Sequence, residues 1–509
     1  VHPRRQPATL PIAVLAAAIA GVLIATAFPH PGVWPMAFIG TALMMWSVIG
    51  RRFWSSLLVG CVGGFAFFGS LIFWITVYLG PIPWLALAGL EAVFYGLGMT
   101  LIALAWRFVP RVWPGFGGRM LALPAVLAGL WTLREAISAV WPYGGFSWGR
   151  LAFSQSDSPF ASLVAWLGVS GLSFAMAFLS AVLLQLVRET SFRWSARGVV
   201  AASVALVLVA FPAWPEFDKG TITVAAVQGN SNSGLFAKIS PGDSLNDHLN
   251  ATLPVVGRKV DVLVWPENAS DIDPQRNDYA AQELDYIQKK VGAPLVTGTI
   301  TEDSKGRTYN SVLLWENGKT VDQYDKIHPV PFAEYLPNRS FWYPLAPSLF
   351  DMVPRDYSFG TRNNVFSIKD AVAGIAICFD IVDDSLIKQM VDSGAQFILA
   401  PTNNADFGHT DENEQQVAIA RLRAIETGRS VVNDSTVGVS AMFAPDGREL
   451  TSLKTFTPGA MVQTIPLSDT ITPAMAIGRQ LEWLAGGFGL AGLALGILLR
   501  RRRPAKKRR

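Results

Sequence analysis

Cysteine, histidine and charge are all scarce in this chain. Two cysteines in 509 residues exclude a disulfide framework. One of them, Cys61, lies inside an apolar run, so a bridge to Cys378 is not expected. The five histidines are scattered and show no ligand spacing, which argues against a zinc site. Charged residues make up 16% of the chain against 51% hydrophobic, with mean hydropathy +0.32. That is too apolar for an ordinary soluble domain and points to membrane spans. No internal repeat occurs, and no low-complexity segment beyond the basic end, "RRRRPAKKRR" at 500–509. Its eight basic residues exceed the net charge of +4, so the rest of the chain is slightly acidic. A nucleic-acid surface is therefore not expected, and a basic tail beside a span fixes topology or meets anionic lipid.

What is present are long apolar runs and seventeen tryptophans, the latter suited to interfacial anchoring. A bilayer core takes roughly 20 apolar residues to cross as a helix. Eight candidates are found: 10–28, 33–49, 54–80, 83–106, 120–140, 159–187, 198–214 and 481–499. The fifth is interrupted by Arg134 and Glu135, an opposite-charge pair expected to face protein or a polar cavity rather than lipid. Arginines follow the second, fourth and sixth spans and precede the first. The alternate loops at 29–32, 81–82 and 141–158 contain only Arg150. The positive-inside rule then puts both termini in the cytoplasm and residues 215–478 on the opposite face. "ATA" at 25–27 also offers a signal-peptidase site; cleavage there would not move the large domain.

Composition shifts near 215. Residues 216–475 carry most of the Asp, Glu, Asn and Lys, a length suited to one α/β domain with its own core. Short apolar, β-branched runs at 221–228, 260–267, 293–300, 310–318, 371–378 and 395–402 read as buried strands. Helical patterns occupy 278–291, 384–394 and 413–428. In the last, Val417, Ala420 and Ala424 share a face and Gly428 is placed to cap the end. A hairpin with a Pro-Asp-Gly turn at 445–447 and a closing strand, "GAMVQTIPL", follow.

In open α/β sheets chemistry gathers at the carboxyl ends of strands. Glu267 ends "VDVLVWPE", Cys378 ends "AVAGIAIC" and Lys326 follows "VDQYD"; Glu334 comes eight residues later. Together they suit acyl transfer. A carboxylate can take a thiol proton, and an ammonium can stabilise first a thiolate and then an oxyanion. Spacing alone leaves the alternative open that Cys378 is a small core residue, the commoner fate of a buried cysteine.

Three segments carry a resemblance. "WPEN" at 265–268, "YDKIHPVPFAEYLP" at 324–337 and "GIAICFD" at 374–380 are similar, in order, to the signature regions of the nitrilase superfamily. Set between seven spans and one, they resemble the apolipoprotein N-acyltransferase family. "FPHPGVWP" at 28–35 and "GGFSWGRLAFSQSDSP" at 144–159 look like that family's membrane-half segments. The resemblance implies a multi-pass α-helical membrane domain at 1–214, an extracytoplasmic nitrilase-like αββα sandwich at 215–478, and an eighth span with a basic cytoplasmic tail at 479–509. It implies Glu267 as general base, Lys326 as oxyanion stabiliser and Cys378 as acyl carrier, with Glu334, Phe379 and Asp380 supporting them. The implied donor is a phospholipid and the acceptor the α-amine of a diacylated apolipoprotein. No metal or organic cofactor is implied. The implied setting is the bacterial inner membrane, where a membrane half open to lipid avoids lifting acyl chains into water at about 0.8 kcal/mol per CH₂. Phe146 and Trp148, in the loop 141–158, either line that lipid path or anchor at the interface, as do Trp141 and Tyr143.

Two positions depart from the family pattern. Asp380 stands where a Glu is usual. Phe236, in "QGNSNSGLFAK", stands near where a Trp is common, and is a candidate to pack on an acyl chain. A membrane-tethered nitrilase-type amidase, a catalytically silent scaffold and a Cys-His hydrolase using His328 or His409 are the competing readings, the last the least favoured. Seven spans argue against the first, since a tether needs one, and an intact Glu267, Lys326 and Cys378 against the second.

Overall fold

The computed structural model describes residues 7–189, 198, 202, 206, 210–215, 219–231, 234, 240–353 and 355–500. The chain divides into two compact units, Val1–Pro212 with Ile477–Arg509, and Ala213–Ala476.

The first unit is helical. Its main helices are α1 (Leu10–Ala25), α2 (Met36–Ser47), α3 (Phe53–Leu71), α4 (Pro81–Val112), α5 (Leu123–Ser138), α6 (Leu163–Arg188) and, from the C-terminal end, α11 (Gln480–Arg500). Prolines stand in the first turn of α1, α4 and α5, where a missing N–H costs nothing. Among the described residues five helices are long and apolar enough to cross a membrane; α1 and α2 are shorter apolar helices. The third expected span, 54–80, is not one helix. Its chain leaves the helix after Leu71 and resumes as a single short helix at Ile75–Tyr78. The seventh expected span, 198–214, lies mostly outside the described residues. Helices approach closely where side chains vanish: a Cβ on Gly21 of α1 would sit 2.2 Å from Gly63 O of α3, so only glycine lets these backbones meet. Arg134 and Glu135 are buried, 3.1 Å apart, and the Arg134 guanidinium lies 4.1 Å from the Tyr95 ring centroid. The pair faces protein, as its charge required.

The second unit is built on twelve strands. β1 (Thr221–Gln228), β2 (Val262–Val264), β3 (Leu295–Glu302), β4 (Thr308–Glu316) and β5 (Lys319–Asp325) form one sheet together with β12 (Gly459–Pro466). β6 (Val365–Ile368), β7 (Ala371–Ile375), β8 (Phe397–Thr402), β9 (Ser430–Ser435), β10 (Ala441–Phe443) and β11 (Glu449–Ser452) form the other. The strand orders are β12-β1-β2-β3-β4-β5 and β11-β10-β9-β8-β7-β6. Each sheet has three parallel strands at its centre, β1-β2-β3 and β7-β8-β9, and antiparallel strands outside.

The period-two pattern of the strands separates two cores. Ile222, Val224 and Ala226 of β1 join Val262, Val264, Ala373, Ile375 and Leu399 in a core shared by both sheets. The intervening Ala225 and Val227 join Leu263, Trp265, Leu284 and Ile287 in a second core. That second core lies beneath α7 (Asp243–Thr252) and α8 (Asp278–Val291). On the far side α9 (Asp384–Asp392) and α10 (Glu412–Thr427) pack on the other sheet. The order of layers is therefore α, β, β, α. Gly428 ends α10 in the left-handed conformation with φ +65°, as a helix-stopping glycine should.

Candidate active site

Two expected strand ends lie further from the chemistry than the sequence pattern suggests. β2 stops at Val264, because Pro266 has no N–H for the ladder, and Glu267 sits in the turn beyond. β7 stops at Ile375, and Cys378 opens a short 3-10 turn, Cys378–Val382, with φ +51°. A non-glycine residue held in the left-handed region is uncommon and stays there only where its surroundings fix it. Here the fixing is visible. The Asp380 carboxylate accepts from Ile377 N at 3.0 Å. From α10, buried Arg423 donates to Ile381 O at 2.8 Å and to Val382 O at 3.0 Å. Arg423 is itself paired with Glu426 and with Asp384. The turn that carries the cysteine is thus held from within and from the helix behind it.

Glu267, Lys326 and Glu334 join one polar chain. Asn310 Nδ2, on β4, donates to Glu267 Oε1 at 2.6 Å and to Glu334 Oε1 at 2.9 Å. Glu334 Oε2 lies 2.9 Å from Lys326 Nζ and also accepts from Val330 N at 2.6 Å. Glu267 Oε2 accepts from Asn403 N at 2.8 Å, just past β8. Lys326 is 1% exposed and Glu267 5%; charges so deep need partners, and each has them. Gly298 of β3 makes room for this. A Cβ there would lie 2.5 Å from Pro266 O and 2.6 Å from Glu267 Cα.

The charges act on one another. Burial pushes the Glu267 carboxyl up, Lys326 opposes that and Glu334 adds to it. For Lys326, burial disfavours the ammonium, but Glu334, Glu267 and Cys378 outweigh it and hold the amine above its ordinary value. Burial and the Glu267 charge raise the Cys378 thiol, while Lys326 draws it down. Glu267 and Lys326 therefore act on the same sulfur with opposite sign. Such a set can move a proton between thiol and carboxylate beside a fixed cation.

Asp380 is buried and accepts from Tyr324 OH at 3.0 Å. Burial pushes its carboxyl up to about 7. The shorter side chain is thus used locally, between the tyrosine at the end of β5 and the backbone of its own turn. Phe379 is half-buried. Phe236 lies outside the described residues. In the first unit, Trp148 is buried with its ring 5.7 Å from Trp74. Phe146 is half-buried, 6.4 Å from Phe68, whereas Trp141 is 62% exposed.

Sequence reasoning missed Asn310, Asn403 and Asn404, and the polar face of α10. Glu412, Gln416, Arg423 and Glu426 are all buried and recur at helical spacing. That recurrence of polar residues on a helix whose apolar residues already mark a buried face was the available signal.

Comparison with known proteins follows the same division. Residues 20–182 match the model of the apolipoprotein N-acyltransferase N-terminal domain, and residues 223–473 match carbon-nitrogen hydrolase. The chain is 32% identical to the apolipoprotein N-acyltransferase of Mycolicibacterium smegmatis, over 96% of this chain and 85% of that protein. It is 27% identical to the enzyme of the same name from Photobacterium profundum, over 97% and 96%. A solved amidase from Nesterenkonia sp. is 18% identical, with TM-score 0.38, over 50% of this chain and 93% of that one.

Proposed function

The chain belongs to the apolipoprotein N-acyltransferases, membrane proteins that combine a helical N-terminal region with a carbon-nitrogen hydrolase domain, and from that premise we propose how its own residues acylate a lipoprotein. Cys378 gives its thiol proton to Glu267 and attacks the sn-1 ester carbonyl of a phospholipid. The carbon-sulfur bond forms, Lys326 stabilises the oxyanion, and the carbon-oxygen bond to the glycerol breaks. The departing alkoxide takes its proton from Glu267. The α-amine of the diacylglyceryl-cysteine then attacks the thioester, Glu267 takes the amine proton, and the thiol is restored. Two substrates used in turn at one sulfur imply ping-pong kinetics. Glu334 holds the Lys326 ammonium, and Asn310 ties both glutamates to one point. Phe236 of the catalytic domain and, separately, Phe146 and Trp148 of the membrane unit are the candidates for contact with acyl chains. The setting is the bacterial inner membrane, with eight spans, both termini cytoplasmic and the catalytic domain at 215–478 outside the cytoplasm.

The observation that carries this reading is the hydrogen-bonded chain Glu267–Asn310–Glu334–Lys326, whose outer members both act on the Cys378 thiol. Its test is incubation of the purified protein with labelled phospholipid, then with a diacylated lipopeptide. A thioester on Cys378, discharged by the lipopeptide with formation of an amide, is expected. Release of ammonia from small amides without peptide modification would make the protein an amidase. No thioester at all would leave a scaffold.

A further inference from the structure

We propose that Gln416 donates the hydrogen bond that supports the Cys378 thiolate, and that Asn404 and Ser435 hold its amide in the orientation that allows this. The proposal rests on the reading of Cys378 as the nucleophile.

Gln416 Nε2 lies 3.7 Å from Cys378 Sγ, within reach of a weak hydrogen bond to sulfur. A glutamine amide can be turned either way, and only the nitrogen end favours a negative sulfur. Its neighbours decide which end faces the cysteine. The backbone N of Gly438 can only donate, and it does so to Ser435 Oγ at 2.8 Å. Ser435 Oγ then directs its own hydrogen to Asn404 Oδ1 at 2.6 Å. That leaves Asn404 Nδ2 facing the other way, where it donates to Gln416 Oε1 at 2.7 Å and to Glu412 Oε2 at 2.8 Å. Thr402 Oγ1 lies 3.1 Å from Gln416 Oε1, and its hydroxyl also bonds Cys378 and lowers the thiol, so Gln416 acts beside a second polar neighbour of the sulfur. Reversing the glutamine would point its NH₂ at the Asn404 NH₂ and its carbonyl at the sulfur. Reversing Asn404 would leave the Ser435 hydrogen without its partner and turn a carbonyl toward the Gln416 carbonyl. The polarity is therefore set at a backbone N–H and handed through two side chains to the nucleophile. Asn404, Glu412, Gln416 and Ser435 are all buried, so water offers no competing partner.

The chemistry gives the network work in both half-reactions. A donor at sulfur favours the thiolate that attacks the phospholipid ester. The same donor favours the thiolate that must leave when the amine attacks the thioester. Lys326 is shared with the oxyanion, whereas Gln416 serves the sulfur alone. The charged or titratable groups that act on this thiol are Glu267, Lys326 and Glu412; burial pushes Glu412 up to about 8, well into the range that a pH profile scans.

The test is the pH profile of iodoacetamide alkylation at Cys378, read by peptide mass spectrometry on the full-length protein in detergent. Gln416→Met keeps the volume and removes the donor. Gln416→Glu keeps the contacts to Thr402 and Asn404 and turns an acceptor to the sulfur. Both are expected to raise the midpoint by about one pH unit, the scale of one hydrogen bond to a charged group. Ser435→Ala should give a smaller rise and Ser435→Thr should restore the wild-type value. The same series in a Glu412→Gln background removes the second titration on that face. Unchanged midpoints in both Gln416 variants, with Cys378 labelled as in wild type, would overturn the proposal alone. A wild-type protein whose Cys378 takes neither iodoacetamide nor an acyl chain would overturn it together with the reading of the nucleophile.

Discussion

Asp380 shows what a single carboxylate does when two donors and burial compete for it. Tyr324 OH and Ile377 N both point at Oδ2, yet burial holds the group up at about 7. An aspartate in the unfolded chain titrates near 4. Between those values the folded chain keeps a proton that the unfolded chain has released. The stability contributed by Asp380 is therefore complete below about pH 4 and is lost as pH rises through about 7. Asp380→Asn removes this titration. Its melting temperature relative to wild type should rise between pH 5 and pH 8, measured by thermal unfolding in detergent; a constant difference across that range would contradict the assignment. Glu267→Gln tests the other key carboxyl. It retains an oxygen for Asn403 N but cannot accept the thiol proton, so thioester formation should fall by about 10²–10⁴-fold, followed by single-turnover mass spectrometry. An undiminished rate would remove Glu267 from the role of base. The motif-bearing residues Glu267, Lys326, Glu334 and Cys378 were legible because each sits in a recognisable segment. Asn310 was not. It opens an ordinary-looking strand, and its partners are 43 and 24 residues away in the chain, a distance that no local pattern encodes.

At the level of elements, the strands that were easiest to read are those whose two faces are both apolar. β1 matches its expected range, Thr221–Gln228, because residues on both faces enter one core or the other. α8 matches at Asp278–Val291, where Asn277 caps the first turn through Ala280 N. β6 was not expected: four residues, Val365–Ile368, are too few for alternation to stand out. The end of β7 was misread because apolarity continues through Ala376 and Ile377, which stay in the core after the ladder has stopped. Gly298 ties an element to the chemistry, since β3 passes within contact of the turn that presents Glu267. In Gly298→Ala the added Cβ would meet Pro266 O at 2.5 Å and Glu267 Cα at 2.6 Å, so the turn has to move. Misplacement of a catalytic group by about 1 Å costs roughly 10²-fold. A loss of that order in acyl transfer is expected, with Cys378 alkylation retained; full activity would show that the turn tolerates displacement.

For the whole molecule, the bilayer replaces water as the solvent of the first unit, and its side chains are sorted accordingly. Leu15, Val77 and Leu484 are exposed by 60% or more, which hydrocarbon tolerates, while Arg134, Glu135, Arg150 and Glu482 are turned inward. Arg150 and Glu482 lie 3.7 Å apart, and Glu482 is also paired with Arg479. Trp54 stands at the start of α3, 77% exposed, where an interfacial aromatic is at home. Apolar length was legible in the sequence, and the excess length of 54–80 left room for a turn; the place of the break, after Leu71, was not legible, because "IFW" continues the hydropathy while the backbone leaves the helix. The proposed orientation rests on arginine bias alone and is open to direct measurement. In a Cys61→Ser, Cys378→Ala background, a single cysteine at Lys305, exposed in the β3–β4 turn, should react with a membrane-impermeant maleimide in intact spheroplasts. One at Arg52, exposed beside the start of α3, should react only after the membrane is opened. The odd-numbered loops carry almost no basic residues, so inverting the protein would move the arginines after the second, fourth and sixth spans across the membrane together. Labelling of Arg52→Cys but not Lys305→Cys in intact cells would therefore overturn the orientation as a unit. It would also put the proposed thioester on the face where the acceptor's diacylglyceryl group is not expected.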